Sequence, residues 1–205
     1  MGKRTKPVVR RTQTERSAAT RSAIMTATIE LLVEHGHANI TMEDIASRAN
    51  VTRGAVHHHF ETREDLWAAT QRELMARMDE DLNFQHAARL DVNERINIVL
   101  DGYWSVFGGP LFLASLEIRA FGRLNLELRK RIQDEFEITA INRDRIWVEV
   151  FKDLGASPEE LRMARILMLD LLRGFALRRI TQGMNSVSAE EIGAAKRMIG
   201  ALLLK

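Results

Sequence analysis

The fold is decided by residues 41–66, TMEDIASRANVTRGAVHHHFETREDL, which predict two short helices, a tight turn between them and the start of a third helix. Thr41 precedes an apolar-periodic stretch, and Asp44 follows three residues later; such a pair caps two of the free amides at a helix start. Asn50 tolerates the left-handed backbone of a sharp turn, and Thr52 can cap the next helix. The stretch therefore predicts two helices joined by a turn of three or four residues.

The outer face of the second helix is small and polar. Val56 and Phe60 recur at helical spacing and are predicted to face the core. The outer face is left with Arg53, Ala55, His57 and His58. A thin helix with hydrogen-bonding side chains fits the major groove of DNA, where an arginine can read a guanine edge and an alanine methyl can contact thymine.

Each polar position in the stretch can be given a role at DNA. Thr41 and Thr52 begin helices whose free amides and hydroxyls can contact phosphates, and Arg63 is predicted to do so at the next helix. The predicted base readers are Arg53, Ala55 and His58.

These residues resemble the helix-turn-helix of the TetR family of one-component regulators, whose pattern is approximately T-x-x-x-I-A-x-x-A-G-V-S-x-G-x-(aliphatic)-Y-x-(Y/H)-F-x-x-K-x-x-L. The matching positions are Thr41, Ile45, Ala46, Ala49, Val51, Thr52, Gly54, Val56, His59, Phe60 and Leu66. The resemblance covers residues 20–66 and implies a DNA-binding transcriptional regulator, most commonly a repressor. It also implies an all-α fold of about nine helices, with a three-helix helix-turn-helix domain before a larger ligand-binding and dimerisation domain.

Two positions depart from the family pattern. Asn50 replaces the usual turn glycine, and His57 replaces a tyrosine that in the family contacts a DNA phosphate, while Arg63 stands where a lysine is common. Neighbouring residues of a helix point about 100° apart, so His57, His58 and His59 cannot converge on one metal ion. We expect neither a metal nor a cofactor.

The histidine at position 57 predicts DNA binding that depends on pH. An imidazolium donates to phosphate with charge assistance, so operator affinity is expected to strengthen as pH falls through about 6.5. Fluorescence anisotropy between pH 6 and pH 8 measures the effect. An unchanged affinity, or the same pH slope in a His57→Phe variant, would contradict the prediction.

Composition narrows the class of protein. The chain has 205 residues, a net charge of +2 and no cysteine, which excludes a disulfide framework and a cysteine-ligated zinc finger. No apolar run reaches the length of a membrane span, and the basic N-terminus lacks the apolar core of a signal peptide. We therefore expect a cytoplasmic protein without a membrane partner.

The N-terminal residues form a basic arm. Residues 1–21 hold seven basic residues against Glu15 alone, a net charge of +6. Residues 1–19 are predicted to be a flexible arm that contacts phosphates or enters a minor groove. The alternative is a solubilising tail that does not contact DNA.

Residues 67–205 are predicted to form the second domain, which is helical throughout. Capping residues and helix breakers place helix starts at Thr62, Asp91, Pro110, Ser157 and Ser188. Residues 166–177, ILMLDLLRGFAL, are apolar nearly all round the helix, and residues 191–204 add a second wide apolar stripe. Such helices need burial on more than one side.

The two apolar helices therefore predict a homodimer with a four-helix interface, similar to that of the family. The predicted interface residues are Leu171, Gly174, Phe175, Arg178, Ile192, Ala195, Ile199 and Leu202. A two-fold dimer presents two recognition helices to successive major grooves, so the target is expected to be a palindromic operator in double-stranded DNA. The alternative is that these helices form the core of a monomer.

Residues 103–121, YWSVFGGPLFLASLEIRAF, combine clustered aromatic residues with a helix break at Gly108 and Gly109. This pattern predicts a pocket for a small apolar or aromatic effector, and the resemblance implies that its occupancy changes the separation of the recognition helices. The predicted lining is Trp104, Phe107, Phe112, Glu117, Arg119, Phe121, Trp147, Met168 and Arg173. An aromatic stripe is also typical of plain core.

Two other functional classes remain open at this stage. An enzyme is disfavoured, because no nucleophile elbow, phosphate loop or metal-ligand spacing occurs in the sequence. A DNA-binding protein of the same fold could also lack a small-molecule effector and be controlled by a protein partner or by DNA. A thermal-shift screen would distinguish these alternatives, because a ligand of the native state raises stability.

Overall fold

The computed structural model describes residues 12–183 and 185–204, apart from the side chains of residues 135 and 138. These residues form nine α-helices and two short 3-10 helices, and no strand occurs among them. The α-helices are α1 (Gln13–His35), α2 (Met42–Arg48), α3 (Arg53–His59), α4 (Arg63–Asp81), α5 (Val92–Phe107), α6 (Pro110–Gly122), α7 (Leu126–Phe151), α8 (Pro158–Gln182) and α9 (Ala189–Leu203). The predicted all-α fold is confirmed.

Local capping explains where these helices begin. Capping boxes start α2 at Thr41, α4 at Thr62, α8 at Ser157 and α9 at Ser188, and the Asp91 carboxylate caps α5. Each device satisfies free amides of the first helical turn with a side chain a few residues away. The predicted helix starts are therefore confirmed.

The first helix begins earlier than predicted. Thr12 and Glu15 form a capping box, so α1 starts at Gln13 and the backbone from residue 13 to residue 19 is helical. This corrects the predicted flexible arm of residues 1–19. The part of that arm before Thr12 lies outside the described residues.

Helices α1–α3 form a small unit whose core continues into the larger body of α4–α9. Ile24, Ile45 and Val56 are almost completely buried where the first three helices meet, and Leu66 and Trp67 of α4 are fully buried against the same cluster. Helix α6 packs against α1 on one side and against α7 on the other. It therefore connects the small unit to the body.

No single helix of the described residues has the length and apolar character needed to cross a membrane. Val92–Phe107 and Pro110–Gly122, which are bent by 54° relative to each other, meet that criterion only when they are taken as a pair.

Candidate DNA-binding surface and effector cavity

The turn between α2 and α3 has the predicted geometry. Asn50 has φ of 54° and is the one non-glycine residue with positive φ among those described. The amide of Val51 donates to the Ala46 carbonyl at 3.0 Å, and the Thr52 hydroxyl accepts from the Ala55 amide at 3.1 Å. These bonds fix the start of α3 and its orientation on α2.

The outer face of α3 is largely exposed. Val56 and Phe60 are buried, whereas His57 and His58 are exposed and Ala55 is half-buried. The Arg53 side chain is 65% exposed and lies 3.9 Å from the Glu43 carboxylate, a distance typical of a weak surface ion pair. The guanidinium of Arg53 is thus available to another partner.

His59 lies behind that face. Its ring is half-buried, with its centroid 6.5 Å from that of Phe60. Burial lowers the pKa of His59, and the nearby charges of His58 and Arg21 lower it further. The neutral imidazole is therefore favoured here, as expected of a packing residue.

The side chain of Arg63 is turned into the fold, whereas the predicted contact with a phosphate requires it to point outward. Its guanidinium donates to the carbonyl of His37 and, at 3.2 Å, to that of Ile40. It also lies over the rings of Trp67 at 5.0 Å and Phe121 at 5.3 Å. Desolvation by burial lowers the pKa of this guanidinium. Arg63 binds the backbone of the α1–α2 connection, which corrects its predicted role as a phosphate contact.

Glu117 and Phe121 also lie at this junction, although the sequence predicted both in the ligand pocket. The Glu117 carboxylate accepts from the His37 amide at 2.9 Å and lies 2.6 Å from His37 Nδ1. The Phe121 ring contacts His37 edge-on with a centroid distance of 5.8 Å. We call His37, Arg63, Trp67, Glu117 and Phe121 the junction cluster. It ties α6 to the α1–α2 connection and to α4.

A cavity of about 680 Å³ opens between α6, α7 and α8. Of the predicted lining residues, Phe112, Arg119 and Arg173 lie on its wall. The remaining lining residues are Leu116, Ala120, Gly122, Arg123, Arg129, Ile132, Gln133, Phe136 and Leu177. The cavity is thus formed largely by α6 and α7, and the size suits an organic ligand.

Four other predicted lining residues are not on the wall of this cavity: Trp147, Met168 and Phe107 are buried, and Trp104 is half-buried. Trp147 is 3% exposed and its Nε1 donates to the Leu161 carbonyl at 2.7 Å, while Met168 is fully buried. Trp104 packs edge-on against Phe175, and Phe107 packs against Phe112 with a centroid distance of 4.7 Å. Aromatic side chains at helical spacing fill the core here, which corrects the predicted lining. Phe107 and Phe112 also line a smaller cavity of about 180 Å³.

Several residues of the predicted dimer interface hold α9 to the rest of its own chain. Ile192, Ala195 and Ile199 are buried within the chain, and Arg178 forms an ion pair with Glu191 of α9 at 2.5 Å. These placements correct the prediction. Leu171 and Phe175 are half-buried, while Leu202 is exposed.

A different set of apolar side chains is exposed on these two helices and the residue that follows them. They are Met163, Ile166, Leu167, Leu177, Ile180, Met198, Leu202 and Leu204, which we call the α8–α9 apolar face. Gly174 is exposed beside them, and apart from its own helical turn none of the described residues lies within 4 Å of the position a Cβ would take there.

The sequence offered a signal for the missed side of the cavity. Leu128, Ile132 and Phe136 recur every four residues along α7, and Leu128 and Ile132 are buried. Arg129 and Gln133 stand one position after the first two. The stripe predicts the buried face of α7, but the same pattern is typical of a helix that packs on a solid core, so it does not identify the cavity.

Known proteins are similar to this chain in sequence and in fold. A sequence model of the family described as bacterial regulatory proteins, tetR family, matches residues 24–70. The transcriptional regulator CymR of Pseudomonas putida is 29% identical over 173 residues, 84% of this chain and 85% of that protein. The probable acrEF/envCD operon repressor of Escherichia coli is 38% identical over 60 residues, 29% of this chain and 27% of the repressor.

The architecture is shared with solved regulators at lower identity. The structure of FadR from Bacillus subtilis in complex with stearoyl-CoA covers 90% of this chain and 97% of its own, with a TM-score of 0.63 and 22% identity. At that identity the likeness establishes the fold alone. The family model over residues 24–70 and the relatives in sequence identify the chain as a TetR family DNA-binding transcriptional regulator.

Proposed function

We propose that this protein is a cytoplasmic homodimeric repressor that binds a palindromic operator and whose DNA affinity is changed by a small-molecule effector. The observation that carries the proposal is the exposed polar face of α3, which follows the left-handed turn at Asn50. The larger body has an exposed apolar face, which dimerisation requires, and a cavity, which effector binding requires.

At the DNA end, we assign phosphate contacts to helix starts and base contacts to the outer face of α3. Thr41 and Thr52 cap α2 and α3, and their hydroxyls and the neighbouring amides suit phosphate oxygens. His57 is exposed toward the same side and suits a phosphate. The proposed base readers are Arg53, Ala55 and His58.

The proposed dimer rests on the α8–α9 apolar face. Contiguous apolar surface on two packed helices is a feature of interaction sites, because monomeric proteins rarely expose large apolar patches. The pairing of α8–α9 with the same surface of a second copy makes a two-fold interface, which places the two α3 helices on successive turns of DNA.

The proposed effector control rests on the position of α6. Arg119 and Ala120 of α6 line the 680 Å³ cavity, while Glu117 and Phe121 of the same helix belong to the junction cluster. A ligand that favours one position of α6 therefore biases the α1–α2 connection, provided that its affinity differs between the two states. The stearoyl-CoA bound to FadR of Bacillus subtilis is an example of a small molecule held by a regulator of this fold.

Selection of bound DNA from a random pool tests the proposal. We expect enrichment of an inverted repeat whose half-site centres are about 34–36 Å apart, or a multiple of that distance. Light scattering of the free protein should give the mass of a dimer. A single asymmetric site bound by a monomer, or no enrichment at all, would refute the proposed function.

Arg53→Ala is expected to relax the preference at one base position and to cost about 1–3 kcal/mol of operator binding. The reason is that a guanidinium makes a two-bond contact with guanine that the methyl group cannot replace. Binding to the selected operator, to its single-base variants and to random DNA measures the effect. The exposed Arg145 of α7 provides a matched control, since Arg145→Ala should change neither quantity. Equal weakening on the operator and on random DNA would show that Arg53 does not read bases.

A further inference from the structure

The cavity between α6, α7 and α8 is cationic. Four arginines line it, Arg119, Arg123, Arg129 and Arg173, and no acidic side chain does so among the described residues. Its walls are otherwise mainly apolar. The small apolar or aromatic effector that the aromatic residues of the sequence predicted matches only the apolar part of this surface.

Arg119 has no anionic partner among the described side chains. Its guanidinium lies over the Phe136 ring at 4.8 Å. The residue is exposed at the cavity surface, yet the surrounding protein desolvates the guanidinium enough to lower the pKa of Arg119, and the charge of Arg173 lowers it further. Two cations that disfavour each other in a partly apolar site would both gain from an anion placed between them.

Arg173 brings a second guanidinium to the same wall. One terminal nitrogen of its guanidinium donates to the Asp170 carboxylate at 3.0 Å. Its Nε is buried and has no hydrogen-bond partner among the described residues. A buried donor without an acceptor is costly, so the contact with Asp170 leaves this guanidinium incompletely satisfied.

Apolar side chains continue the cavity away from these cations. Phe112 and Leu116 come from α6, Ile132 and Phe136 from α7, and Leu177 from α8. A volume of about 680 Å³ holds a molecule larger than a simple inorganic anion. The complementary molecule has one anionic end and one apolar end.

We infer that the cavity binds an amphiphilic organic carboxylate, with its head group at Arg119 and Arg173 and its tail among Phe112, Ile132 and Phe136. Bidentate pairing of carboxylate with guanidinium gives the head group its orientation, and burial of the tail gives area. The inference rests on the proposed function, since it names the chemical class of the effector that this function requires.

Three probes with the same tail and different head groups test the inference. Decanoate, decanol and decyltrimethylammonium are titrated into the full-length protein without DNA, with thermal shift and calorimetry as readouts. We expect decanoate to raise the melting temperature by mass action and to bind at least about tenfold more tightly than decanol. Decyltrimethylammonium should be the weakest ligand. Equal affinities for decanoate and decanol, tighter binding of the cation, or no binding of any probe would overturn the inference.

Two variants separate the head-group contact from a change in folding. Arg119→Met and Arg173→Met keep much of the side-chain volume and should lower decanoate affinity at least about tenfold while leaving decanol affinity unchanged. The control is Arg145→Met on the exposed surface of α7, which should leave all three affinities unchanged. Retained decanol binding shows that the cavity is intact, and an unaltered preference for decanoate in both variants would overturn the head-group assignment.

Operator selection keeps this inference separable from the proposed function. If an inverted repeat is selected but decanoate binds no more tightly than decanol, the inference about the ligand fails and the proposed function is kept. If decanoate binds as expected but no operator is enriched, the proposed function fails and the inference about the anion site is kept.

Discussion

Replacement of Leu202 by glutamate is expected to split the proposed dimer and to lower affinity for the complete proposed operator by about 10²–10⁴-fold. Leu202 is 45% exposed on α9 and belongs to the α8–α9 apolar face. A carboxylate at that position would lose its hydration in the interface without gaining an ion pair. Once the subunits separate, each half-site binds independently, and the gain from simultaneous engagement disappears.

Sedimentation or light scattering at micromolar concentration measures the first effect, and anisotropy on complete and half operators measures the second. A matched control is Ile141→Glu, because Ile141 is also an exposed apolar residue of a helix, 72% exposed on α7, and lies outside the α8–α9 apolar face. It should leave both the mass and the affinity unchanged. A dimeric Leu202→Glu variant with full operator affinity would place the interface elsewhere.

The dimer helices illustrate where sequence reasoning loses information. Apolar residues that surround a helix predict burial on two sides, but they do not say which stripe faces the chain's own core. In α9, Ile192 and Ile199 face that core, whereas Met198 and Leu202 are exposed. The choice depends on how α9 packs on α5 and α8, which no local pattern specifies.

Local patterns did predict the helix starts and the exposed face of α3. A capping box joins residues three apart, so Thr41 with Asp44 and Thr62 with Asp65 can be recognised without knowledge of the fold. The left-handed turn residue, Asn50, was predicted for the same reason. The orientation of α3 then follows from the burial of Val56.

The junction cluster could not be predicted in this way. His37 and Glu117 are separated by 80 positions in the chain, and Arg63 is separated from the carbonyl of His37 by 26. Residues with polar side chains near aromatic ones are compatible with a ligand pocket until the packing of α6 on α1 is known. The same long-range packing determines that Arg119 faces the cavity while Glu117, two residues earlier, faces the junction.

Arg63→Ala is expected to lower the free energy of unfolding by about 2–4 kcal/mol, because it removes two charge-assisted hydrogen bonds to backbone carbonyls and the contacts with two aromatic rings. The carbonyls of His37 and Ile40 would lose their donor, and the α1–α2 connection would loosen relative to α4. Since α2 supports α3, binding to operator and to random DNA should weaken together. Urea unfolding measures the stability, and salt-dependent anisotropy measures the DNA binding.

This prediction separates two roles of one arginine. If Arg63 only contacted a phosphate, its removal would leave the free energy of unfolding unchanged. It would reduce the slope of log affinity against log salt by about 1. If Arg63 is structural, its removal lowers the free energy of unfolding and leaves the salt slope unchanged. Arg63→Lys should not restore stability, because an ammonium lacks the planar fork that reaches both carbonyls. The control is Arg162→Ala, an exposed arginine of α8 that is 3.4 Å from Glu159, which should change stability by no more than about 0.5 kcal/mol. An unchanged free energy of unfolding together with a reduced salt slope would show that Arg63 contacts phosphate. It would also show that Arg63 does not stabilise the junction cluster.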